Sequence, residues 1–228
     1  TVNNLLVSHR KGINIIDSLD VAFQKNKIHG IVGLNGSGKT TFFNAFFGLK
    51  KIQKGTIICN NQPVTKNGMA YLPTENFFYS NITGQEYLSL FCNPNFDIDR
   101  WNSLFKLPLD QITDIYSTGM KKKLAILGVI KQNMPIMLLD EPFNGIDIEM
   151  CRILRLVLLK LKETEKTIIV SSHVMDTLTH LCDFIHYLED GKIKYSIQKE
   201  DFTSFEKEIF SLIDKNNKQI INELVTAE

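Results

Sequence analysis

Gly33-Leu34-Asn35-Gly36-Ser37-Gly38-Lys39-Thr40 stands between the apolar run Ile28-His29-Gly30-Ile31-Val32 and the helix-like stretch Thr41-Phe42-Phe43-Asn44-Ala45-Phe46-Phe47. The spacing is that of a P-loop, and a buried strand before it and a helix after it are the context that motif requires. Glycines let the backbone wrap tightly enough for the amides of Asn35, Gly36, Ser37 and Gly38 to face bound phosphates. Lys39 adds a charge that can reach β- and γ-phosphates, and the Thr40 hydroxyl suits Mg²⁺. Thr41 lies in the first helical turn, where free amides and the helix dipole favour an anion. Gly48 is the expected stop. A chance glycine-rich turn is the competing reading, and the full pattern in this context disfavours it. The stretch points to a nucleotide without saying which machine uses it.

Outward from this loop, the chain alternates strand and helix. Residues 2–23 read as short strands with turns near Lys11-Gly12 and Gln24-Lys25-Asn26. The segment 55–63 reads as a hairpin strand with a polar turn, and Met69-Ala70-Tyr71-Leu72-Pro73 as a strand ended by proline. Thr83-Gly84-Gln85-Glu86 is a capping box. A further helix is expected after Asp97 or Asp99, so that 81–115 forms a small helical insert. Ser117 can cap a helix through 121–127, and Asp147 a longer one with Cys151, Leu154, Leu158 and Leu161 on one face. Ile136-Met137-Leu138-Leu139 and Thr167-Ile168-Ile169-Val170 read as buried strands, and 184–197 as a hairpin. The fold class is therefore α/β, with a mostly parallel sheet covered on both faces, an N-terminal antiparallel β part and a helical tail after Asp201.

Composition narrows the function class. The 228 residues are 43% hydrophobic and 22% charged with a net charge of +1, as in an ordinary globular chain. That balance lacks the basic footprint of a nucleic-acid binder. No apolar run is long enough for a bilayer, and the most apolar helix, 153–161, is interrupted by Arg155 and Lys160. No secretory leader is recognisable. Cys59, Cys92, Cys151 and Cys182 lack ligand-like spacing and read as reduced core thiols in a cytosolic protein.

Three further clusters carry chemistry. Asp140-Glu141-Pro142 ends the Ile136–Leu139 strand, which is expected beside the P-loop strand. Asp140 can hold Mg²⁺, and Glu141 can accept a proton from water attacking a γ-phosphate. His173, after Ser171-Ser172, can reach the same edge, although a loop histidine with a satisfied hydrogen bond is the plainer reading, as it is for His9, His29, His180 and His186. Ser117 and Gly119 open a helix and make a second phosphate-binding cap; the plainer alternative is an ordinary capped helix with a solvated lysine face, Lys121-Lys122-Lys123.

The order of these motifs resembles the nucleotide-binding domain of ATP-binding cassette (ABC) transporters, over nearly the whole chain to about Ile197. Gly33 to Thr40 matches Walker A, and Leu138-Leu139-Asp140-Glu141-Pro142 matches Walker B with its catalytic glutamate. Ser117-Thr118-Gly119-Met120 is similar to the signature motif, Asn144-Gly145-Ile146-Asp147 to the D-loop, and His173 to the switch histidine. Tyr-Ser-x-Gly-Met-Lys around the signature looks most like ATPase subunits of ABC-2-type exporters. The resemblance implies a single ABC ATPase domain over 1–228 that uses ATP and Mg²⁺. A second nucleotide-binding subunit, either another copy of this chain or a close relative, would face it head to tail, with Ser117 and Gly119 presented to the partner's ATP. Polytopic membrane permease subunits would be the other partners, with the chain peripheral at the inner face of the cell membrane. Phe77, Phe78 and Tyr79 then read as part of a docking surface or as insert core.

This chain departs from the family at three places. Thr118 and Met120 replace a glycine and a glutamine of the signature. Thr74, with Glu75 next, stands where the Q-loop glutamine falls, so either can approach Mg²⁺. His9 or Arg10 stands where an aromatic stacks on adenine. Two rival readings are a soluble ABC-type ATPase and a nucleotide-gated regulatory module with little hydrolysis.

Overall fold

The computed structural model describes residues 1–9, 12–59, 61–205 and 207. Strands β1 (Val2–Ser8), β2 (Asn14–Val21), β4 (Lys54–Cys59) and β5 (Gln62–Pro63) form an antiparallel sheet of order β2-β1-β4-β5. The second sheet has six strands in the order β10-β9-β3-β8-β7-β6. Its members are β3 (Ile28–Val32), β6 (Met69–Leu72), β7 (Ile136–Leu139), β8 (Thr167–Ser172), β9 (Phe184–Glu189) and β10 (Lys192–Gln198). Every pairing in it is parallel except β9–β10, the expected hairpin.

The helices are α1 (Lys39–Phe46), α2 (Gly84–Ser89), α3 (Ile98–Phe105), α4 (Thr118–Lys131), α5 (Ile148–Glu163) and α6 (Met175–Thr179). The buried strands still alternate at period two, which splits the core. Ile28, Val32, Leu139, Ile168 and Val170 pack with α4, α5 and α6. Ile31, Leu138 and Ile169 pack from the opposite face with α1 and the antiparallel sheet, through Phe42, Phe43, Leu5 and Ile16. One sheet thus carries two apolar layers, as its nearly all-hydrophobic strands require.

Local chemistry sets the helix starts. The Thr83 capping box is complete, Asp97 caps α3, Ser117 caps α4 and Asp147 caps α5. On α5 the buried residues are Met150, Leu154, Val157 and Leu158; Cys151 and Leu161 are half-buried at the edges of the stripe. Cys92 is exposed and only Cys182 is fully buried, so core thiols describe one of the four cysteines. The expected helical tail 201–228 lies outside the described residues beyond 205, except 207. No helix among the described residues is long and apolar enough to cross a membrane.

The expected neighbourhood of the Asp140 strand needs correction. β7 does not pair with β3; β8 lies between them. The doubly wound order puts the tip of β8 in the gap, and that tip supplies Ser171, Ser172 and His173. The intervening strand therefore joins the loop and the acidic pair into one site.

Candidate nucleotide-binding site

The P-loop leaves β3 at Gly33, where a Cβ would sit 2.3 Å from the Leu188 carbonyl oxygen, so no larger residue fits. Gly38 turns the chain into α1 at φ 107°, a left-handed conformation that strains any L side chain. A cleft of about 540 Å³ opens there, lined by Ile15, Asn35, Gly36, Gly38, Lys39, Thr40, Thr41, Thr74, Glu141, Asn144 and His173.

Hydroxyl groups connect the cleft to the acidic pair. Thr40 Oγ1 is 3.4 Å from Thr74 Oγ1, which donates to Asp140 Oδ2 at 2.6 Å. Ser171 Oγ donates to the other oxygen, Asp140 Oδ1, and accepts the Glu141 N–H at 2.9 Å. The fully buried Asp140 carboxylate is thereby held from both sides by neutral donors. Asp140 N–H still bonds to Leu72 O as the ladder would continue. Glu141 then breaks away at φ 50°, uncommon for a residue with a side chain, and this strained turn aims it back at the P-loop. Glu141 Oε1 lies 3.8 Å from Lys39 Nζ, and Oε2 lies 3.1 Å from His173 Nδ1. Lys39 donates to Gly33 O at 2.7 Å and to Leu34 O at 3.2 Å. Burial pulls its pKa below the usual lysine range, while Glu141 and Asp140 oppose that.

The set suits a hydrated divalent cation beside a polyphosphate. Thr40 and Asp140 offer hard oxygens within one hydrogen-bonded chain, and Gly36 and Gly38 line the cleft beside them. Thr74 belongs to this chain. Glu75 is exposed and does not line the cleft. Ser37 does not line it either, and its Oγ is buried without a partner. His9 lines a separate hollow with Leu49, Lys50, Lys51 and Gln53, and Arg10 lies outside the described residues.

Ser117, Thr118, Gly119 and Met120 are absent from the cleft wall. Ser117 and Thr118 are exposed, and the Ser117 hydroxyl accepts the Met120 N–H at 3.2 Å. A Cβ at Gly119 would lie 2.9 Å from Gly145 O, and Lys123 Nζ lies 2.6 Å from Asp147 Oδ2. Asp147 also accepts the Met150 N–H, and Lys123 followed by that amide holds its carboxyl below the usual range. The start of α4 is thus fastened to the loop 144–147. The solvated lysine face does not form as expected, because Lys122 is buried.

Three participants escaped sequence reasoning. Ser171 left a faint signal, a hydroxyl ending an Ile-Ile-Val strand. Lys122 had none, being indistinguishable from Lys121 and Lys123 until the helix phase was known. Ile15 is visible only once β2 is packed beside Gly38.

A parallel sheet with a glycine-rich loop at the tip of β3, and an acidic pair two strands away at the tip of β7, defines a P-loop nucleotide-triphosphatase fold. The chain belongs to the family of ABC transporter ATP-binding subunits, whose profile, described as "ABC transporter", matches residues 16–144. It is 28% identical over 193 residues to the ABC transporter ATP-binding protein YtrB of Bacillus subtilis strain 168, covering 80% of this chain and 66% of YtrB. It therefore spans just under two thirds of that relative. A solved ATP-binding subunit of an ABC transporter superposes with a TM-score of 0.81 at 24% identity, covering 88% of this chain and 90% of that one. The dimeric post-hydrolysis state of the ATP-binding cassette MJ0796, bound to ADP and Pi, superposes with a TM-score of 0.74 at 18% identity, covering 87% and 97%. The two structural likenesses are likenesses of fold.

Proposed function

We propose that the chain binds and hydrolyses ATP between two protomers and thereby drives transport, in the export direction, through separate membrane subunits. The observation that carries this reading is a division of labour. One cleft collects Lys39, Thr40, Thr74, Glu141 and His173, with the buried Asp140 held just behind it by Thr74, while the exposed Ser117 cap takes no part in its wall. A second phosphate cap outside the wall of its own cleft suits a nucleotide held by another copy. The MJ0796 cassette, of the same fold, is described as a dimer bound to ADP and Pi.

In this reading the amides of 35–41 and Lys39 neutralise charge on the phosphates, which is most of what phosphoryl transfer needs. Thr40 and Asp140 would hold Mg²⁺, with Thr74 rather than Glu75 as the polar neighbour between them. Bound there, the ion would neutralise phosphate charge. Glu141 accepts the proton of the attacking water, and His173 keeps its carboxylate in place. Ser117, Thr118, Gly119 and Met120 close over the partner's ATP. Closure is favoured by ATP because only the closed state offers both sets of donors. The Glu141–His173 pair is intact, which favours hydrolysis over a purely regulatory module.

We place the membrane-subunit contact on the helical subdomain 81–115 and on Phe77, Phe78 and Tyr79 leading into it, within a single domain, with the chain peripheral at the inner face of the membrane. Phe77 and Tyr79 are 75% and 58% exposed, while Phe78 packs inward on Tyr87.

The deciding experiment is light scattering of Glu141→Gln with and without MgATP. An ATP-dependent dimer with hydrolysis close to zero supports the proposal. A strictly monomeric variant, or one with wild-type turnover, rejects it.

A further inference from the structure

Lys122 is 6% exposed, yet it forms no ion pair among the described residues. Its Nζ is 3.5 Å from Pro73 O and 3.5 Å from Asp140 O. These carbonyls belong to the two segments that carry Thr74 and Asp140, already joined by their own 2.6 Å hydrogen bond. A buried ammonium is costly unless its donors are used. Here two carbonyls share it at equal distance, so movement of the loop or of the strand tip alters a contact of Lys122.

The other end of this linkage is α4 itself. Lys122 stands in the first turns of that helix, within the same rigid segment as the Ser117 cap. Its neighbour Lys123 is fixed to Asp147, and Gly119 lies against Gly145. A displacement at Pro73 or Asp140 is therefore passed to a helix start that is anchored on its far side as well.

We propose that Lys122 is a positioning residue that couples the Thr74–Asp140 pair of the chain's own site to the Ser117 cap that serves the partner's nucleotide. This rests on the two-protomer reading above. A cation suits the task because an ammonium can rotate its three donors between two acceptors without losing its hold on either. Burial pulls the pKa of Lys122 down to about 8, and Asp140 and then Glu141 oppose that shift.

The test uses Lys122→Met, which keeps length and apolar bulk, and Lys122→Gln, which keeps a donor. Thermal unfolding, binding of a fluorescent ATP analogue with Mg²⁺ to the monomer, the Hill coefficient for hydrolysis, and ATP-driven dimerisation in a Glu141→Gln background are measured for each. For Lys122→Met we expect monomer binding within about twofold of wild type, dimerisation weakened by roughly 5- to 50-fold, and cooperativity falling toward unity. Lys122→Gln should recover part of both. Unchanged dimerisation and cooperativity overturn the proposal, as does a loss of monomer binding that accounts for the whole effect. If Lys122→Met does not fold, Lys122→Gln is judged by the same criteria. If the Glu141→Gln parent itself fails to dimerise, the two-protomer reading has failed and this inference falls with it.

Discussion

Thr74 Oγ1 donates to Asp140 Oδ2 at 2.6 Å and stands 3.4 Å from Thr40 Oγ1. A two-carbon side chain thus joins the helix-start hydroxyl to the acidic strand tip. Removing it leaves a buried carboxylate oxygen without its donor, which costs more than the bond itself contributes.

Thr74→Ala is therefore expected to raise the Mg²⁺ concentration needed for half-maximal ATPase several-fold and to lower kcat by about tenfold, as loss of a charge-assisted bond implies. Binding of metal-free ATP should change little, because Thr74 touches no loop amide. Glu75→Ala should match wild type in both assays. Magnesium titrations of the three proteins check this, and an equal effect from Glu75→Ala would refute the assignment.

His173 Nδ1 is 3.1 Å from Glu141 Oε2. Removal of Glu141 as base should lower kcat by about 10²–10⁴-fold, the usual worth of a positioned base. If His173 acts by orienting Glu141, His173→Ala should lower kcat with KM little changed. The double variant should then be hardly slower than Glu141→Gln alone, since residues acting as a unit are non-additive. Additive losses would show that His173 acts by a separate route.

Ser171 carries a heavier structural role than its place in the sequence suggests. It holds Asp140 Oδ1 and takes the N–H of the strained residue Glu141. Ser171→Ala leaves both unpaired, so stability should fall by about 1–3 kcal/mol in denaturant titrations. Turnover should fall as well, because nothing then fixes the left-handed turn. Ser171→Thr, which keeps the hydroxyl, should recover much of the turnover.

What could be read in advance follows a physical line. Gly33, Gly38 and the capping residues Thr83, Ser117 and Asp147 act within a few residues of themselves, so local spacing was sufficient to find them. The same holds for the alternation of strand and helix. Strand adjacency is different, because it depends on which crossover passes which. The β7 tip was expected next to β3, and β8 came between them. Ser171, Lys122 and Ile15 gain meaning only after that adjacency is known, since their partners lie far away in the chain. The exposure of Phe77 and Tyr79 beside the inward Phe78 depends on packing in the same way.

Phe77 and Tyr79 meet edge to face with ring centres 5.2 Å apart and remain largely open to solvent. Two exposed aromatics on one loop suit the centre of an interface. Phe77→Ala with Tyr79→Ala should leave the ATPase of the isolated subunit within about twofold and its melting temperature unchanged, as surface substitutions usually do. Co-purification with the membrane subunits should be lost. Retained co-purification would move the docking surface elsewhere.

A buried histidine pair sets an acid limit on stability. His29 Nε2 meets the Gln24 carbonyl at 3.0 Å, so that nitrogen must carry the proton. His29 Nδ1 is then the acceptor for His186 Nε2–H at 3.1 Å, and His186 Nδ1 accepts from Ser196 Oγ at 2.8 Å. In this arrangement both rings are neutral. Phe23 and Phe184 pack on His29, and burial lowers its pKa to about 4, with the Gln24 bond opposing. His186 is lowered further, by burial and then by His29. Because the folded values lie below the ordinary 6.5, the unfolded chain binds more protons as the pH falls from 6.5 toward 4. Stability is therefore whole above that window and is lost on descending through it, by up to about 1.4 kcal/mol per pH unit for each ring. Asp183, held low by the Ile28 amide and Lys162 against its burial, adds its own loss only at more acid pH. Denaturant titrations between pH 7 and 4 should show this slope, and His29→Phe combined with His186→Phe should flatten it. An equal slope in the double variant would assign the acid sensitivity to the carboxylates instead.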